Sequence, residues 1–88
     1  MDPNTLDPAR KRVWFRCHHM GMHENDILFG TLADRHIETF SDDQVATLEK
    51  LIEQNDIDLL KWVLGQVEPP AEFKTDILHM VQEIKKQL

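Results

Sequence analysis

Arg16-Cys17-His18-His19-Met20-Gly21-Met22-His23-Glu24-Asn25-Asp26 is the stretch on which the reading of this chain turns. It gathers three of the five histidines, the only cysteine and two of the four methionines around a central glycine. Amphipathic helical patterning runs away from it in both directions. The stretch is therefore expected to form a corner between two helices, with Gly21 as the stop. Glycine enters the left-handed conformation that ends helices without a Cβ penalty.

Upstream, Asp7-Pro8 reads as an N-cap followed by proline at the first helical position, where its missing N–H costs nothing. The helix it opens carries Val13, Trp14, Cys17 and Met20 at three- and four-residue spacing. Arg10, Lys11, Arg12 and Arg16 wrap the other side, and their plainest reading is a solvated face.

Downstream, a second helix is expected from near Met22, carrying Ile27, Leu28 and Leu32. Glu24 and Asp26 fall in its first turn, where negative charge complements the helix dipole. Gly30 weakens its continuity by about 1 kcal/mol relative to alanine. Asp34 to Phe40 reads as a short helical turn ending in a connection.

Ser41-Asp42-Asp43-Gln44 then fits a capping box, with Phe40 and Val45 placed as a hydrophobic staple. Val45, Leu48, Leu51 and Ile52 form the apolar face of the third helix. Asn55-Asp56 caps a fourth with Ile57, Leu60 and Leu64 on its face and Leu59, Trp62 and Val63 broadening it; Gly65 closes it. Pro69-Pro70 stiffens the next turn. A last helix carries Phe73, Ile77, Met80, Val81, Ile84 and Leu88, with Lys85 and Lys86 in its final turn, as the dipole prefers. Trp14, Trp62 and Phe73 are read as core. Period-two alternation is nowhere sustained, so the fold expected is all-α, a compact bundle of four or five short helices. Residues 1–6 would be a flexible N-terminal arm and 7–88 a single helical domain.

The totals bound the function. Eighty-eight residues bury only about 60–65% of their unfolded surface, so most apolar material is needed to hold the helices together. A binding module fits better than an enzyme with a deep pocket. With 41% apolar and 30% charged residues the composition is that of a globular chain. One cysteine excludes an internal disulfide and suits a reducing compartment. Apolar runs fall short of the roughly 18 residues of a membrane span, and the first residues lack a secretory pattern. The expected location is cytoplasm, or an organelle matrix. Net charge is −6 and uneven, +1 over residues 1–24 and −7 over residues 25–88. Phosphate neutralisation dominates nucleic-acid affinity, so this balance argues against nucleic acid as partner.

Three chemistries compete at the corner. His19 and His23 are four apart, with Cys17, His18 and Glu24 nearby, but Gly21 lies between them and no second ligand cluster exists to close a zinc site. A His–Cys or His–Glu pair could do acid–base work, yet no nucleophile elbow, phosphate loop or paired-carboxylate cleft accompanies it. Neither a metal site nor a catalytic residue is assigned. An exposed recognition corner on a rigid scaffold is favoured, with Gly21 allowing close approach and Glu24 and the histidines offering hydrogen bonds.

The residues that carry a resemblance are Arg10-Lys11-Arg12, Phe15-Arg16, His19, Gly21-Met22, Glu24, Asp26, Leu28, Gly30 and Ala33-Asp34, then Asp58-Leu59, Trp62 and Gly65. Over roughly residues 9 to 84 the chain resembles the succinate dehydrogenase flavinylation factors, the SdhE-like FAD assembly factors of bacteria and mitochondria. The family signature is Arg-Gly-x-x-Glu. Here it reads Met20-Gly21-Met22-His23-Glu24, so the arginine is replaced. Methionine brings a flexible thioether where arginine brings a permanent charge and five donors.

The resemblance implies a chaperone and not an enzyme. It would bind the flavoprotein subunit of succinate dehydrogenase, or that of fumarate reductase, and promote covalent attachment of FAD to it. It would hold no FAD stably itself, insert in no membrane and act as a monomer, in the cytoplasm or the mitochondrial matrix. On this carry-over Gly21 allows close approach, Glu24 is the principal polar contact, and Met20 stands in the arginine's place. Met22, His23 and Asp26 complete the loop, and Arg12, Arg16 and His19 extend the docking surface around it. The alternative is a regulatory interaction module, antitoxin-like, with no flavinylation role.

Overall fold

The computed structural model describes residues 2–88. Five α-helices follow in order: α1 (Pro8–Cys17), α2 (His23–His36), α3 (Asp42–Ile52), α4 (Asp56–Val63) and α5 (Asp76–Gln87). Short 3-10 turns at Pro3–Thr5 and Ala71–Phe73 precede α1 and α5, and no strand occurs among the described residues. The fold is the expected all-α bundle. Of the segment expected as an arm, Met1 lies outside the described residues, Pro3–Thr5 forms its turn, and Leu6 packs on the core.

α2 is the central element. Leu28, Phe29, Leu32 and Ala33 are at most 1% exposed, and α2 packs against α1, α4 and α5. α3 closes the bundle against α1, α4 and α5. Its capping box forms as the sequence predicts, with Ser41 Oγ accepting from the Gln44 N–H at 3.1 Å and Gln44 Oε1 accepting from the Ser41 N–H at 2.9 Å. Phe40 and Val45 are both buried beside it. Asn55 caps α4, accepting from the N–H groups of Ile57 and Asp58. Gly65, with φ +74°, supplies the left-handed residue just after α4.

Several expectations need correction. α1 ends at Cys17, and Gly21 is not left-handed: among the described residues only Gly65 has positive φ. The helix ends instead through a right-handed His18, whose N–H donates to the Phe15 carbonyl. α2 runs unbroken through Gly30 to His36, so only residues 37–41 connect it to α3. Gly30 is there for space, since a Cβ would meet the His18 ring at 2.9 Å.

The apolar faces are also narrower than the periodicity suggests. Ile27, Ile57, Leu64 and Leu88 are 45%, 57%, 38% and 62% exposed. In α4 the buried face is Leu59, Trp62 and Val63. Phe73 lies on the 3-10 turn before α5, not in that helix, and stacks on Trp62 at 5.3 Å. Trp14 is only partly buried; its Nε1–H donates to Asp34 at 2.8 Å.

Nor is the basic side of α1 simply solvated. The Arg10 guanidinium donates to the Ile37 carbonyl at 3.2 Å, to the Phe40 carbonyl, and to Asp7 and Asp42. One side chain thereby fastens the α2–α3 connection to α1. Arg12 makes a two-pronged pair with Glu49, at 2.8 and 3.1 Å, and Arg16 reaches Glu49 and Glu53.

Candidate functional site

The corner between α1 and α2 spans residues 18–22 and is organised by side chains on both flanking helices. His19 Nδ1 lies 2.7 Å from the Phe15 carbonyl, and its ring stacks on Phe15 at 3.9 Å. A carbonyl only accepts, so Nδ1 carries the proton. The preceding His18 sits under Trp14, with Nε2 2.9 Å from the Asp34 carboxylate. The two adjacent histidines are thus committed to opposite sides of the chain. Asp26, one turn into α2, accepts a hydrogen bond from the Met20 N–H and so ties the loop to the helix that follows.

Gly21 is exposed, and what it requires is room. A Cβ built on it would collide with the Asp56 carboxylate at the start of α4. Next to this contact Asn25 is fully buried, its Nδ2 donating to the Asp56 carbonyl at 3.0 Å. Its Oδ1 has no partner among the described residues. Asp56 therefore meets the signature segment twice, through its carboxylate at Gly21 and through its backbone at Asn25.

A groove of about 370 Å³ opens at this place. Phe15, Arg16, His19, Met20 and Gly21 line it from α1 and the corner; Ile52, Glu53, Gln54 and Asp56 line it from the end of α3 and the start of α4. Of the residues singled out in the sequence, Arg16, His19, Met20 and Gly21 share this groove. Met20 is half-buried and packs against the core. Met22 and His23 lie just beyond, at the start of α2, with His23 exposed.

Glu24 points elsewhere. Its carboxylate pairs with Lys85 of α5 at 3.1 Å, beside a smaller groove lined by Ile27, Leu28 and Leu88. Arg12 is also outside the main groove. Its hydrogen bond holds the Glu49 carboxyl below the ordinary carboxylate range, and its own pKa is raised in return, so the pair acts as a strut between α1 and α3.

Two residues escaped the sequence reading. Asn25 stands three, four and seven residues before Leu28, Phe29 and Leu32, which is the spacing of a buried helical face. A polar residue on that stripe was the available signal. Asp56 read only as part of the Asn55-Asp56 cap of the fourth helix, and nothing local distinguishes it further.

The remaining chemistry is quiet. Burial pushes the Cys17 thiol up to about 12, so it stays protonated and inert. His19 lies in the corner after α1 and His23 opens α2, so they do not share a helix. Among the described residues no three His, Cys, Asp or Glu side chains converge as a metal-holding group. No described helix is long and apolar enough to cross a membrane.

Comparison with known proteins adds the lineage. A family model described as "Flavinator of succinate dehydrogenase" matches residues 11–86. The chain is 34% identical over 79 residues to succinate dehydrogenase assembly factor 2, mitochondrial, of Dictyostelium discoideum, covering 90% of this chain and 56% of that protein. It is 31% identical over 84 residues to the Drosophila grimshawi protein of the same name, covering 92% and 57%. The FAD assembly factor SdhE of Acetobacter pasteurianus is 30% identical over 80 residues, covering 91% of this chain and 73% of that one. The chain thus spans little more than half the length of the two mitochondrial relatives. With the match running from the basic stripe of α1 to the end of α5, this chain belongs to the succinate dehydrogenase flavinator family.

Proposed function

We propose that this chain is an assembly factor that binds the flavoprotein subunit of succinate dehydrogenase and promotes covalent attachment of FAD to it. The same chemistry extends to the flavoprotein of fumarate reductase. The observation that carries this reading is the held signature loop. Met20 and Gly21 line a groove, with the Met20 N–H held by Asp26 and the Asp56 carboxylate lying against Gly21. A loop already ordered binds without the entropy cost of ordering it.

The bond-forming chemistry belongs to FAD and the flavoprotein; this chain supplies shape and charge. Gly21 lets a partner approach the backbone, with Arg16 and His19 beside it. Arg16 is held by Glu49 and Glu53 at 3.6 and 3.5 Å, so its guanidinium keeps donors aimed in a defined direction. Glu24 offers its carboxylate on the neighbouring face. The factor works as a monomer, in the bacterial cytoplasm or the mitochondrial matrix.

The test is covalent flavin labelling of the flavoprotein subunit, co-expressed with this chain in a host lacking its own factor. Flavin fluorescence of the denatured subunit reads the bond. Labelling by both this chain and its Met20→Arg form supports the reading and makes the signature arginine dispensable. Labelling by Met20→Arg alone identifies a docking-competent but impaired factor. If neither labels while the host's own factor does, the proposal fails and an interaction module without a flavinylation role takes its place.

A further inference from the structure

Among the described residues, Asn25 is the one buried polar side chain. Its amide orientation follows from its partner: the Asp56 carbonyl only accepts, so nitrogen must face it. That leaves Oδ1 in the interior with no donor among the described residues. A buried acceptor without a partner carries its full desolvation cost, whereas an apolar residue of the same shape carries none. The Asp56 carbonyl does not need the bond either. It lies at the first position of α4, where the intrahelical ladder already supplies a donor.

What the bond does is spatial. It crosses from the first turn of α2 to the first turn of α4 and sets where Asp56 stands. The Asp56 carboxylate in turn occupies the space that a side chain at Gly21 would fill. It makes no hydrogen bond or ion pair with any described residue, so contact with Gly21 and the groove is its role in the free protein.

We infer that Asn25 is a positioning residue of the signature loop, acting through Asp56, and that the start of α4 is a second, unrecognised segment of the site. The link to flavinylation rests on the function proposed above; the link to loop order does not.

Asn25→Leu tests it, because leucine matches the branched shape of asparagine and removes both the bond and the orphan oxygen. Three quantities are read on the whole chain: the melting temperature, backbone amide order parameters by NMR, and flavin labelling of the succinate dehydrogenase flavoprotein. The melting temperature should hold or rise. Order parameters at Gly21, Met22 and Asp56 should fall from about 0.85 towards about 0.6, with the helices unchanged. Labelling should drop with them, by roughly tenfold. Asp56→Ala, which leaves the Asn55 cap in place, should loosen the same loop residues from the other side.

Unchanged order at Gly21 in both variants would overturn the inference. So would a lowered melting temperature with loosening throughout the bundle, which would make Asn25 a plain core residue. If the unaltered chain itself fails to support labelling, the functional reading is lost while the order parameters still decide the role of Asn25.

Discussion

The first turns of α2 and α3 are built in opposite ways. α3 is capped by its own sequence: Ser41 and Gln44 satisfy each other within four residues. α2 begins at His23, and the Met22 before it offers no side-chain cap. Its first turn is held by Asp26 reaching back to Met20 and by Asn25 reaching across to Asp56. A helix start closed by local groups keeps its form whatever packs around it. One anchored across the fold takes its form from distant contacts and loses it with them. The candidate site sits on the second kind, where a change far along the chain can alter it.

The sharpest way to break this contrast is at Gly21. Gly21→Val places a branched side chain where the Asp56 carboxylate lies, and Asp56 or the loop must move. Support of flavin labelling should fall by at least about tenfold, since displacements near 1 Å suffice for such losses. Full labelling by this variant would show that close contact between the loop and α4 is dispensable.

Next in size is Gly30→Ala. Alanine gains about 1 kcal/mol of helix propensity, but here it presses on a His18 ring already held by Trp14 and Asp34. Overpacking costs about 1–3 kcal/mol, so the expected net effect is a loss of roughly 1 kcal/mol in urea unfolding. A gain would mean that the ring moves freely and the corner yields to the added methyl.

Ser41→Ala should cost about 1 kcal/mol by removing the α3 cap. The Gly21 and Met20 amide resonances should not shift. If they do, the two helix starts are coupled and the contrast between them weakens.

The smallest effect is expected at the strut between α1 and α3. Arg12 holds the Glu49 carboxyl below its ordinary value of 4.5. A carboxyl with a depressed native pKa adds stability above its unfolded value and loses it as pH falls through the native one. Acid unfolding of the unaltered chain should therefore steepen below about pH 4.5 relative to Glu49→Gln. Identical pH profiles would show that this exposed pair contributes nothing to linkage.

These differences explain what could be read in advance. Helix boundaries set by neighbouring residues were legible, as with the box at Ser41 and Gln44, the Asn55 cap and Gly65. The α1 stop was misplaced because glycine suggests a left-handed turn, whereas Gly21 lies against a carboxylate from residue 56 without one. The α4 face was drawn too wide because Ile57 and Leu64 are apolar and correctly spaced. Only the packing of α4 on α5 and α2 reveals that Leu59, Trp62 and Val63 point inward. Arg12 and Arg16 read as a solvated stripe or docking surface because their acidic partners, Glu49 and Glu53, lie on another helix.

By itself the sequence determined the all-α class of four or five short helices, the caps at Ser41 and Asn55 and the corner that carries the signature, because periodicity and capping are interactions between near neighbours. Tertiary structure alone decided which groups hold that corner. The pairings of Asn25 with Asp56, of Gly21 with the Asp56 carboxylate and of Glu24 with Lys85 join residues far apart in the chain. Such contacts form only once the helices have packed, and no spacing rule along one helix encodes them.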